Sequence, residues 1–165
     1  MGLNADATLH SLGYAVVLDA RTDASSYDAQ GHLNNAAIAR VLNDMRIAYI
    51  RSVEGPWWTD HLIEHRIVVA VREIHIAYDS EGMPGESYRG GMQYLRREGK
   101  GAVFEQCLCD VASGRVIARA WGIQLLVQDG RVVDWPARYF ECVEARQGSP
   151  VELRAKSTRT WGPGE

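Results

Sequence analysis

Asp28, Gly31, His32, Asn34 and Asn35 fall within eight residues of the stretch SYDAQGHLNNAAIARVLNDMRIAYIRSVEGPWW, which begins at Ser26. A carboxylate can act as a general base on water or attack a carbonyl carbon itself, and an imidazole can carry a proton near neutral pH. These residues feed the start of a long helical pattern, where free backbone N–H groups and the helix dipole favour negative charge. Such a terminus can hold a carboxylate or stabilise a developing oxyanion. By type and spacing alone, the same residues also make ordinary turn and cap residues, and an isolated loop histidine is usually just solvated.

The helix that would position them is the strongest local signal in the chain. Ile38, Val41, Leu42, Met45 and Tyr49 recur at the spacing of one apolar face, while Arg40, Asn43 and Arg51 fall elsewhere. Asn34 or Asn35 can cap its start, and Gly55 followed by Pro56 is suited to stop it. About twenty helical residues make a rod of roughly 30 Å, which must be buried against something broad.

Successive strands supply that breadth. RIVVAVREIHIAY, from Arg66, ends in alternation, with Ile74, Ile76 and Tyr78 on one side and Glu73, His75 and Ala77 on the other. ESYRGGMQYLRRE puts Tyr88, Met92 and Tyr94 on one face, most simply core, and its Gly90–Gly91 pair predicts a bulge or a close backbone approach. AVFEQCLCDV and RVIARAWGIQLLV follow, joined by a turn at Ala112, Ser113 and Gly114, and Asp129–Gly130 is a hairpin signal before RVVDW. YAVVLDART precedes the helix as one more strand, and a shorter helix is expected at Pro136 to Arg146, with Pro136 at its first position. Strands joined by short turns pair antiparallel, so the predicted class is α+β, a curved antiparallel sheet with one long helix across it.

With 165 residues, 46% hydrophobic and 24% charged, the chain has the size and composition of one domain with its own core. The expected division is a flexible N-terminus at 1–11, a single domain at 12–147 and a C-terminal tail at 148–165. A formal net charge of -3 without any Lys/Arg block argues against a nucleic-acid partner. No apolar run approaches the roughly 20 residues of a membrane span, and MGLNADATLH lacks the pattern of a signal peptide. The expected location is the cytoplasm, with Cys107, Cys109 and Cys142 as reduced thiols.

Read as a unit, Y-D-A-Q-G-H-L-N-N followed by A-A-I-A-R-V-L-N-D-M-R resembles the Asp-x-x-Gly-His-Val-Asn-Asn motif of acyl-CoA thioesterases in the 4-hydroxybenzoyl-CoA thioesterase branch of the hotdog-fold superfamily. The match runs without a gap from Tyr27 to Arg46, immediately before the long helix. The resemblance implies a hotdog fold, with a sheet wrapped round the central helix. It also implies two protomers pairing their sheets, as a homodimer or homotetramer, with active sites at the interface. The implied reaction is hydrolysis of an acyl thioester, the partner being acyl-CoA or an acyl-carrier protein, as in fatty acid or polyketide metabolism.

By the same resemblance Asp28 takes the place of the catalytic carboxylate, and the helix N-terminal amide that polarises the thioester carbonyl falls on Asn35. Gly31, Asn34 and Ile38 are expected on the substrate side, Gly31 permitting a tight turn or close substrate approach, while His32 and Asn34 orient the loop or Asp28, with direct proton transfer by His32 as the lesser alternative. Coenzyme A enters as part of the substrate, and neither a metal nor another cofactor is implied. Relatives often carry an aromatic residue where this chain has Ile38, and a Glu where it has Asn43 or Asp44, which bears on the acyl pocket. Two rival functions on the same fold are a hydratase or dehydratase acting on an acyl thioester, and an acyl-thioester-binding protein without turnover.

Other patterns carry plainer readings. Cys107 and Cys109 point to one face of a strand as small core or interface residues. His61, Glu64 and His65 follow the letter order of a short metal motif, but the sequence around them is short and gives way to a strand at Arg66. Trp57 and Trp58 either cover the far end of the helix or line a pocket. Arg89, Arg96, Arg97 and Lys100 form a basic group suited to CoA phosphates or to a solvated strand end.

Overall fold

A computed structural model describes residues 4–154 and is built around helix α2 (Asn35–Glu54). Asn34 caps α2 in extended conformation, its Oδ1 accepting the Ala37 N–H at 2.7 Å. Gly55 ends it at φ 59°, a left-handed geometry that glycine reaches without a Cβ clash. Ile38, Val41, Leu42, Met45 and Tyr49 are the buried face, none more than 3% exposed. Each such side chain contributes roughly 1.5–3 kcal/mol by leaving water.

The sheet that covers this face has the strand order β1-β3-β4-β5-β2. Its members are β1 (Val17–Ala20), β2 (Ile67–Tyr78), β3 (Tyr88–Glu98), β4 (Gly101–Asp110) and β5 (Val116–Gln128), all paired antiparallel. β6 (Arg131–Val133) extends β5, and β7 (Glu152–Arg154) runs parallel to the end of β3. Tyr88, Met92 and Tyr94 face inward as predicted, joined by Phe104, Leu108 and Leu126. Gly90 and Gly91 mark a close approach on both faces of β3: a Cβ on Gly90 would run into Met45 and come within 2.7 Å of the Cys107 carbonyl, and one on Gly91 would strike Tyr14. The irregularity in β3 lies further on, between Tyr94 and Arg96.

Several expectations are corrected. The N-terminus is not loose from Asn4 onward, because Ala5–Ser11 form helix α1 with Ala5 and Leu9 fully buried against Tyr14, Cys107 and Cys109. Residues 1–3 and 155–165 lie outside the described residues, but within the expected tail Val151 is buried and β7 pairs with β3. Helix α3 (Pro56–Glu64) was not anticipated: Pro56 starts a new helix directly after Gly55. Helix α4 covers Ala137–Gln147, with Pro136 as its cap. The face shared by Ile74, Ile76 and Tyr78 is only partly covered, since β2 is an outer strand; Ile74 is 40% and Tyr78 47% exposed.

The remaining motifs are absorbed into structure. Trp58, 2% exposed, closes the far end of α2 with Trp135, Tyr139 and Tyr94. His61 stacks on Trp58 and lies 4.5 Å from the His65 ring, and among the described residues no group of three or more His, Cys, Asp or Glu is placed to hold a metal. Cys107 and Cys109 are buried side by side, with their sulfurs 3.7 Å apart. The basic group is dispersed: Arg89 pairs with Asp6 and Asp19, Arg96 with Glu98, Lys100 with Asp134, and Arg97 lies over Phe140. No helix among the described residues is long and apolar enough to cross a membrane.

Candidate active site

The loop before α2 is built by its own backbone. Tyr27 and Leu33 form an isolated antiparallel bridge, and between them Asp28 N–H donates to the His32 carbonyl at 2.9 Å. Gly31 N–H donates to the Asp28 carbonyl at 3.0 Å, and Gly31 sits at φ 84°. No atom lies within 4 Å of a Cβ built on it, so the glycine is required by its backbone angle and not by crowding. Asp28 Oδ1 accepts from the amides of Gln30 at 2.8 Å and His32 at 3.0 Å. Both bonds involve one oxygen, Oδ1.

These amide bonds govern the charge of the group. The His32 amide holds the Asp28 carboxyl below the usual carboxylate range, partial desolvation opposes it, and the Gln30 amide adds to the lowering. Asp28 is therefore ionised at neutral pH. At the start of α2, Asn34 Oδ1 serves Ala37 and the Asn34 carbonyl serves Ile38. The first two helical amides, those of Asn35 and Ala36, have no acceptor among the described residues and carry the positive end of the helix dipole.

Asp28, His32, Asn34, Asn35 and Ile38 all line one pocket of about 600 Å³. The structure thus brings together every residue that the sequence pointed to except Gly31, which sets the turn between Asp28 and His32. Ile38 is 3% exposed and belongs chiefly to the core, so it reaches the pocket only at its floor. His32 Nε2 stands 3.6 Å from Glu81 Oε2 across the opening.

That opposite wall was not read from the sequence. Tyr78, Asp79, Ser80 and Glu81 come from the end of β2 and the loop beyond it. Asp79 is held by Arg119 through two bonds, at 3.0 and 2.7 Å, and Gly82 carbonyl accepts the Leu33 N–H at 2.8 Å. The cluster Asp79, Ser80, Gly82 signals a turn in the sequence, but nothing local says that this turn lies against residues 28–35. A carboxylate and free helix amides sharing one cavity can do acyl chemistry: one supplies the attacking electrons or takes a proton, the others stabilise an oxyanion.

The thioesterase-like superfamily model matches residues 23–145. No curated protein matches the chain. Among solved structures, a thioesterase from Thermus thermophilus, complexed with coenzyme A and zinc, is 20% identical, with TM-score 0.71 over 84% of this chain and 98% of that one. The 4-hydroxybenzoyl-CoA thioesterase of Pseudomonas sp. strain CBS-3 is 18% identical, with TM-score 0.70 over 77% and 97%. A thioesterase superfamily protein from Jannaschia sp. CCS1 is 17% identical, with TM-score 0.70 over 92% and 96%. These likenesses establish the hotdog fold, and with a family match over most of its length the chain belongs to the thioesterase-like superfamily as a thioester hydrolase.

Proposed function

We propose that this chain hydrolyses an acyl-CoA thioester to a free acid and the CoA thiol, with Asp28 as the reacting carboxylate. The observation that carries the reading is the shared pocket of an ionised Asp28 and the free amides of the α2 N-terminus. A thioester carbonyl oxygen directed at the Asn35 amide gains negative charge as the carbon becomes tetrahedral. Loss of one such donor typically raises a barrier by about 3 kcal/mol. The Asp28 carboxylate either attacks the thioester carbon or deprotonates the water that does so. Attack by Asp28 forms a mixed anhydride and expels the CoA thiolate, and water then hydrolyses the anhydride, its released proton balancing the thiolate. In the base route the proton Asp28 takes from water passes to the leaving sulfur, so in both routes water supplies the new oxygen.

His32 and Asn34 orient the loop, the former beside Glu81 and the latter by capping α2. Ile38 limits the acyl end. CoA is favoured over a carrier protein as the thiol because the Thermus thermophilus thioesterase was crystallised with coenzyme A. A homodimer is proposed through the β2 edge, the end of the sheet among the described residues, where Val68, Ile74 and Tyr78 are 62%, 40% and 47% exposed. Tyr78 also lines the pocket, so a second copy at this edge would complete the site.

A panel of acyl-CoA and acyl-carrier-protein thioesters, assayed for free thiol beside Asp28→Asn, tests the chemistry. Turnover of at least one acyl-CoA, abolished by Asp28→Asn, is the expected result. Full activity in the variant removes Asp28 from the mechanism, and ligand binding without thiol release makes the protein a binder. Light scattering that finds a monomer at micromolar concentration removes the shared site.

A further inference from the structure

We propose that Arg115, outside the pocket, is a positioning residue that holds the Ser80–Glu86 loop against residues 28–35 and so sets the geometry of the site. The inference rests on the reading of Asp28 as the reacting group. Arg115 has a firm base: it closes the β4–β5 turn, where Asp110 N–H donates to the Arg115 carbonyl at 2.9 Å. In that turn the buried Asp110 Oδ2 accepts from Ser113 N–H at 2.8 Å and from Ser113 Oγ at 2.5 Å.

From this base the guanidinium meets three acceptors on one loop. Nη1 donates to Ser80 Oγ at 3.0 Å and to the Glu81 carbonyl, and Nη2 donates to Glu86 Oε1 at 2.6 Å. A planar fork of donors suits this set, and a single ammonium does not. The other oxygen of Glu86 accepts from Tyr88 Oη at 3.1 Å and from Met83 N–H at 2.9 Å, which ties the same loop to β3. Arg115 therefore bridges both ends of a segment whose backbone bonds to β5 and to the β4–β5 turn lie at its edges: Asp79 and Ser80 to the Ile117 carbonyl, and Val111 to the Ser87 carbonyl.

The segment so held touches the candidate site twice. Gly82 carbonyl accepts the Leu33 N–H at 2.8 Å, between His32 and Asn34, and Glu81 presents its carboxylate to His32. Gly82 is packed so closely that a Cβ there would lie 2.9 Å from Leu33 Cβ and 2.7 Å from Tyr88 Oη. A shift of the loop is thus transmitted to Leu33, and through it to the turn that aims Asp28 and the amides of Asn35 and Ala36. Misplacement of reacting groups by about 1 Å can cost on the order of a hundredfold in rate.

Arg115→Ala, with its melting temperature and assembly state checked, is compared with Asp28→Asn. Arg115→Ala is expected to lower kcat/KM about tenfold or more, and to speed hydrogen exchange at the Leu33 amide. Added ethylguanidinium, which fits the three acceptors, should restore activity to Arg115→Ala and none to Asp28→Asn. If Arg115→Ala loses its fold, Glu86→Gln provides the same test with the shape preserved. Unchanged Leu33 exchange, or activity within twofold of the parent while Asp28→Asn is inactive, overturns the role of Arg115 and leaves that of Asp28 standing. An active Asp28→Asn overturns the underlying reading instead.

Discussion

The two ends of helix α2 are built by opposite means. At its start, Asp28 to Asn35 are held by hydrogen bonds of the loop's own backbone and of Asp28 Oδ1, with Asp28 and Asn35 exposed and the first two helical amides without an acceptor among the described residues. At its finish, Tyr49, Trp58, Tyr94, Trp135 and Tyr139 pack into an aromatic cluster, none more than 6% exposed. Several polar atoms there bond within the packing: Gln147 accepts from Tyr49 Oη at 3.2 Å and from Tyr94 N–H at 3.1 Å, and Tyr94 Oη donates to Gln124 at 2.6 Å, while the buried Trp58 Nε1 has no partner among the described residues. One end leaves donors and a carboxylate open to a ligand; the other is closed by its own packing. On the reading proposed above, stability and chemistry are separated along a single helix, because groups that stabilise a transition state must stay unsatisfied until substrate arrives.

Substitutions at each end should sort accordingly. Asp28→Asn is the sharpest break: a loss of about a hundred- to ten-thousandfold in turnover is expected, with the thermal unfolding midpoint nearly unchanged. Trp58→Ala should do the reverse, costing about 3–5 kcal/mol of stability by denaturant titration while the folded fraction keeps its turnover. If Trp58→Ala instead lost turnover in fully folded protein, the separation of the two ends would be wrong.

Between the ends, Gly90→Ala tests how tightly α2 is pressed on the sheet. The added methyl meets Met45 and the Cys107 carbonyl, and overpacking of this kind costs about 1–3 kcal/mol, readable as a lower midpoint in urea. Asn34→Ala removes the bond to Ala37 N–H and should cost about 1 kcal/mol of stability. It belongs to the open end, so a larger proportional fall in kcat than in stability would sharpen the contrast.

The smallest effect concerns pH. Because the His32 amide lowers the Asp28 carboxyl, the ionised form persists below the usual carboxylate range. The acid limb of kcat/KM should therefore lie at lower pH than an ordinary carboxylate gives. The linked stability is present above the unfolded pKa of the group and is lost as pH falls through the lower folded value. An acid limb displaced upward, toward neutrality, would contradict this arrangement of Asp28.

How far the molecule can be read from its sequence follows the same local-versus-distant divide. Asn34, the five apolar positions and Gly55 mark the limits of α2 because capping and periodicity act within a turn or two. Helix α1 is not legible in the sequence because only Ala5 and Leu9 of its seven residues are buried, and their partners, Tyr14, Cys107 and Cys109, lie mostly far along the chain. Helix α3 escaped because Gly55–Pro56 reads as a stop, although the same pair also allows an immediate restart at a new angle. The basic residues Arg89, Arg96 and Arg97, all on β3, serve separate partners: Asp6 of α1, Glu98 of the same strand and Phe140 of α4.

By itself, then, the sequence determined one half of the candidate site: the turn at Gly31, the Asp28 carboxylate beside it, and the capped start of a long helix. Those features depend on bonds spanning a few residues, so their code is local. The tertiary structure alone decided the other half, Tyr78 to Glu81 facing His32, and the reach of Arg115 across to that loop. These contacts join segments far apart along the chain, and only the antiparallel pairing of β2 with β5 and the burial of α2 bring them together.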